Sequence, residues 1–85
     1  MSVSAELEDF IIEEIAFGRG IESIDPDEDL LARGVIDSLA VTQLVAFLED
    51  RYGIRITDDE LIPEHFRSLA CMEAFVERKR SRAPA

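Results

Sequence analysis

A chain of 85 residues with a hydrophobic fraction of 47% is apolar enough to fold and long enough for one modest core. Nineteen acidic residues against nine basic ones leave a net charge of −10, which excludes nucleic-acid binding by phosphate neutralisation and disfavours an anionic membrane surface. Basic protein partners are the class that such a charge would attract and steer.

Cys71 is the only cysteine, so the chain can form neither an internal disulfide nor a cysteine zinc site. Residues Met1 to Phe10 lack the basic start and apolar run of a signal peptide. No segment approaches the roughly 20 apolar residues of a membrane span. A soluble, cytoplasmic protein is expected, acting as a monomer.

In chain order, Val3, Leu7, Phe10, Ile11 and Ile15 recur at helical spacing, with acids between them. They predict a first helix from Ser2 or Ser4 to Phe17, with Ser4 a plausible cap and Gly18 and Gly20 as the stop. Residues 18–37 form a connection of unusual length for a compact domain. Its apolar residues Ile21, Ile24, Leu30, Leu31, Val35 and Ile36 are expected to tack it across the open end of a helix bundle. A short helical turn is expected over Leu30 to Arg33. Asp25, Asp27 and Asp29 have the 1, 3, 5 spacing of a calcium loop, but Leu30 replaces the required glycine and Ile36 stands where the last ligand belongs. No metal site is expected there.

A second helix is predicted from Ser38 to Tyr52, ended by Gly53. Asp37 and Ser38 are both strong cap types at its start. Val41, Leu44, Val45, Leu48 and Tyr52 form its apolar stripe, while Leu39, Gln43, Ala46 and Asp50 fall opposite. Thr57 and Glu60 match a capping box, and the helix they open must be brief because Pro63 follows. Ser68 is expected to cap a last helix whose Leu69, Met72, Phe75 and Val76 face the core. Arg78, Lys79, Arg80 and Arg82 suit its C-terminal end. The fold class is therefore all-α: a small four-helix bundle with three main helices, a short third helix and a long loop between helices 1 and 2. Residues 1–80 make a single domain, and residues 81–85 a frayed tail.

Catalysis finds little support. His65 is the only histidine, and no Gly-x-Ser-x-Gly elbow is present. His65 is expected to be a loop residue closing over the core, and Cys71 a buried, inert thiol. What remains is Ser38, at a helix N-terminus where free N–H groups and the dipole suit a phosphate.

At these residues the chain resembles the acyl carrier protein family, including its aminoacyl and peptidyl carrier relatives. The resemblance rests on Asp37-Ser38-Leu39, the acidic first helix and the long pinned loop with Gly34. It extends through Leu44-Val45, Leu48-Glu49, Tyr52-Gly53-Ile54 and the short third helix to Phe66-Arg67-Ser68-Leu69, spanning residues 3–80. It implies that Ser38 is the attachment point of 4′-phosphopantetheine, delivered from coenzyme A by a phosphopantetheinyl transferase, with cargo held as a thioester on the arm's thiol. It further implies that Asp37 positions the serine, and that helix 2 presents Leu39, Ala40, Gln43, Ala46 and Asp50 as a docking face. A loading ligase or acyltransferase and a downstream synthase or transferase are the other implied partners, and the carrier itself has no catalytic residues.

The chain departs from fatty-acid carriers at Ala40 and Gln43, where acids are frequent, so apolar contact from Leu39 and Ala40 is expected to share in docking. A stand-alone acyl or aminoacyl carrier of a specialised pathway is the resulting expectation. An aminoacyl or peptidyl carrier of a nonribosomal-peptide-type pathway is the alternative, and an unmodified helical adaptor is the rival from another class.

Overall fold

Ser2 starts the first helix: its backbone is extended and its hydroxyl accepts the Ala5 N–H at 3.0 Å. The structure, a computed structural model, describes residues 2–82. Ser4 is not the cap. It lies inside α1 (Val3–Phe10), and its hydroxyl donates to the Glu73 carboxylate at 3.0 Å, tying α1 to the last helix. α1 continues as a π-helical turn over Ile11–Ile15, in which the Ala16 N–H reaches the Ile11 carbonyl at 2.7 Å. The helix thus ends two residues short of Phe17, which is 84% exposed. Phe17 lies off the Leu7–Ile11–Ile15 stripe, so burial offers nothing to extend the helix, and Gly18 turns the chain with φ 83°.

The long connection is pinned as its apolar residues require. Ile24, Leu30 and Ile36 are buried, and Ile21, Leu31 and Val35 pack partly against the same core. Backbone groups fasten it as well: the Leu30 N–H donates to Arg67 O at 2.6 Å, and Ala70 N–H to Pro26 O at 3.0 Å. Glu8 of α1 accepts the Ile24 N–H at 2.6 Å. The short turn after Asp29 forms with the Arg33 N–H on Asp29 O at 3.1 Å and the Asp29 carboxylate capping Ala32.

α2 (Ser38–Tyr52) ends on Gly53, whose left-handed φ of 66° sends its N–H to Glu49 O. The capping box of Thr57 and Glu60 is present, but it closes only one 3-10 turn, Asp58–Glu60. The expected short helix is therefore split: Leu61 and Ile62 run outside it, and α3 (Pro63–Phe66) begins with Pro63. The proline starts a helix here because its missing N–H is one of the orphan donors of a first turn. α4 (Leu69–Arg82) opens with the Ser68 hydroxyl on the Cys71 N–H at 3.1 Å. It runs to Arg82, and residues 83–85 of the expected tail lie outside the described part.

The result is an all-α bundle in which α1, α2 and α3 each pack on α4, with no strand among the described residues. Leu7, Ile11, Leu30, Leu44, Leu48, Phe66, Leu69, Met72 and Val76 fill its centre. Each such side chain contributes about 1.5–3 kcal/mol when buried. Cys71 is half-buried rather than buried.

One polar junction closes the α1–α2 corner. The Arg51 guanidinium and the Tyr52 hydroxyl both donate to the Glu6 carboxylate. The Arg51 bond, then the Tyr52 bond, holds the Glu6 carboxyl down at about 2. Burial and the same bond push the Tyr52 hydroxyl up. A carboxylate depressed in the folded state stabilises above its unfolded value of about 4.3 and loses that contribution as pH falls through its folded value. The melting-temperature gap between the natural protein and Glu6→Gln should be widest above about pH 5 and close near pH 2. A gap independent of pH would show that the junction is not electrostatic.

Candidate functional site

Asp37 decides how α2 begins. Its backbone is extended (φ −134°, ψ −168°), its carboxylate accepts the Ala40 N–H at 2.9 Å, and its carbonyl accepts the Val41 N–H at 2.8 Å. One residue caps a helix, and with Asp37 in that role Ser38 becomes the first helical residue. Its hydroxyl is exposed and has no hydrogen-bond partner among the described residues. Since Asp37 takes the N–H groups of Ala40 and Val41, those of Ser38 and Leu39 remain as the free donors of the first turn. The chain entering this turn is fixed by Ile36 in the core and by Arg19, whose guanidinium donates to Gly34 O at 3.2 Å.

Ser38 also borders an open cleft of roughly 330 Å³. Leu31, Val41, Thr42, Leu61, Ile62, Pro63 and Phe66 complete its lining. Leu61 and Ile62 are 43% and 39% exposed, so apolar surface faces solvent beside the serine. Thr42, one turn further along, donates its hydroxyl proton to Ser38 O at 3.2 Å. Sequence reasoning names Leu31, Val41, Pro63 and Phe66 for other roles and does not single out Thr42, Leu61 or Ile62. The signal that could have found them is Leu61-Ile62, an apolar pair outside every helical stripe, set between the capping box and Pro63 with Leu61 in a tight turn and Ile62 extended.

Of the expected docking face, Leu39 is 70% exposed, and Gln43, Ala46 and Asp50 are exposed on the same helix. Ala40 is not on that face: it is 4% exposed. At 100° per residue it stands one turn ahead of Leu44 and two ahead of Leu48, so it joins their buried row. The lack of charge at Ala40 is therefore a packing requirement, and only Gln43 keeps its meaning as a departure from the charged pattern.

His65 does not line the cleft. It lies in α3 rather than in a loop, its ring stacks on Phe75 at 4.3 Å, and its Nδ1–H donates to Glu60 O at 2.9 Å. In the acidic loop, Asp25 and Asp29 each spend a carboxylate oxygen on a local backbone N–H, and no metal-ligand cluster occurs among the described residues.

Comparison with known proteins adds two findings to that geometry. A family model described as "Phosphopantetheine attachment site" matches residues 12–76. A solved chain described as "Crystal structure of FAD-dependent dehydrogenase" is similar at 31% identity and a TM-score of 0.74, over 82% of this chain and 97% of that chain. No curated protein sequence matches. No helix of the described residues is long and apolar enough to cross a membrane.

The cap can be tested separately from the serine. Asp37→Ala should cost about 1 kcal/mol by denaturant unfolding, while Asp37→Asn, an equally good cap, should cost a few tenths. Equal losses in the two variants would show that the charge of Asp37, and not its capping bond, supports α2.

Proposed function

The chain belongs to the phosphopantetheine-attachment-site family of carrier domains, and we propose that Ser38 is the residue that takes up the arm. The family carries 4′-phosphopantetheine covalently, the group supplying a terminal thiol on which cargo is held as a thioester. The observation that carries the assignment is the uncapped, exposed hydroxyl of Ser38 at the first position of a 15-residue helix.

The surroundings fit a phosphodiester. The free N–H groups of Ser38 and Leu39 can donate to its oxygens, and the positive end of the helix dipole favours its charge by about 0.3–1 kcal/mol. Asp37 fixes the first turn, which holds the hydroxyl at the surface for a transferase, and its carboxylate would be a ligand for a metal ion that the transferase brings. Ser38 Oγ forms the new bond to the pantetheine-side phosphorus as the pyrophosphate P–O bond of coenzyme A breaks and adenosine 3′,5′-bisphosphate leaves; the hydroxyl proton passes to the transferase. Coenzyme A as donor supports loading in the cytoplasm.

Residues 1–80 then act as one carrier domain, a substrate for other enzymes rather than a catalyst. Leu39, Gln43, Ala46 and Asp50 form the surface read by the transferase, by a loading ligase or acyltransferase, and by downstream enzymes. The similarity to a solved chain described as an FAD-dependent dehydrogenase supports a flavin dehydrogenase among those downstream partners. Together with the uncharged Gln43, it favours cargo of a specialised acyl or aminoacyl pathway.

Incubation with coenzyme A and a broad-specificity transferase should add one phosphopantetheinyl group to the intact mass. Ser38→Ala should add none while retaining its helical circular dichroism. An unmodified natural protein would instead favour the helical adaptor.

A further inference from the structure

The cleft beside Ser38 is apolar on nearly every side, with Leu31, Val41, Leu61, Ile62, Pro63 and Phe66 around it, yet Thr42 places a hydroxyl on its wall. That hydroxyl is not idle and not saturated. Its single proton is donated to Ser38 O at 3.2 Å, which turns the oxygen's lone pairs away from the helix backbone. Thr42 stands four residues after Ser38, hence about one turn along the same helix, within reach of a group tethered at the serine.

Phosphopantetheine combines the two chemistries that this wall offers to receive. Beyond its phosphate come a carbon bearing two methyl groups and then amide N–H donors. Leu61 and Ile62, 43% and 39% exposed, are apolar surface that the methyl groups would cover. The Thr42 oxygen is an acceptor for an amide N–H. An amide laid against this apolar wall would otherwise find no protein partner for its N–H on the cleft side.

We propose that Thr42 is a positioning residue for the arm, accepting a hydrogen bond from one of its amide N–H groups and so laying the first part of the arm along the cleft between α2 and the Leu61–Pro63 segment. The inference rests on Ser38 being the attachment point. It assigns to Thr42 no part in attachment itself, so loading and positioning separate in experiment. Valine matches threonine in shape but lacks the acceptor, whereas serine keeps it.

The test uses the full chain loaded from coenzyme A that carries nitrogen-15 in both pantetheine amides. Intact mass reports loading, and nuclear magnetic resonance reports solvent exchange of each arm N–H against free phosphopantetheine. In the natural protein and in Thr42→Ser, one arm N–H should exchange about three- to tenfold more slowly than in the free compound, the protection of one modest hydrogen bond. Thr42→Val should load to the same mass and exchange at the free rate. Complete loading with both arm N–H groups at the free rate in the natural protein overturns this inference alone, as does protection that survives in Thr42→Val. A mass that never changes overturns the Ser38 assignment, and this inference with it.

Discussion

The hydrogen bond from the Ala40 N–H to the Asp37 carboxylate is the constraint on which the site depends. Two adjacent residues, both good caps, compete for the start of α2, and only one can hold the extended geometry of the N-cap. Asp37 holds it, so Ser38 is drawn into the first helical turn with its hydroxyl pointing at no protein acceptor. A serine in the capping position would have spent its oxygen on a backbone N–H. Here it remains available, beside two unsatisfied donors and the positive end of a long helix.

The rest of the fold serves to keep that corner still. Ile36 is buried immediately before Asp37, and Leu30 is buried six residues earlier while its N–H is bonded to Arg67 between α3 and α4. Arg19, just beyond the end of the first helix, reaches across to Gly34. From below, Ala40, Leu44 and Leu48 anchor α2 in the core, and at its far end Arg51 and Tyr52 grip Glu6. A small domain has a thin stability margin. Its long loop is tolerable because each stretch is tied down by an apolar side chain or a backbone bond.

Much of this is legible in the residues, because it rests on local rules. Helical periodicity places α2 and α4, glycine ends α2, and Ser68 and Thr57 announce their caps. Sequence misleads where two local rules compete. Pro63 reads as the residue that shortens a helix, whereas its missing N–H makes it the start of another. Ala40, a small residue next to exposed Leu39, groups with the outer face by neighbourhood, while its phase with Leu44 places it inside. Neither the π-helical turn of Ile11–Ile15 nor the cleft walled by Leu61 and Ile62 has a periodic signature, since both arise from how separate segments meet. Ser38 stands out as a candidate from its place in the whole pattern; which of Asp37 and Ser38 caps the helix is decided only in three dimensions.

Locating the modification is the most direct test. Trypsin cleaving after Arg33 and Arg51 releases Gly34–Arg51, a peptide whose hydroxyl side chains are Ser38 and Thr42. Fragmentation of that peptide from loaded protein should place the phosphopantetheinyl group on Ser38 and leave Thr42 unmodified. The group on Thr42, or on a peptide from elsewhere in the chain, would contradict the carrier mechanism built on Ser38.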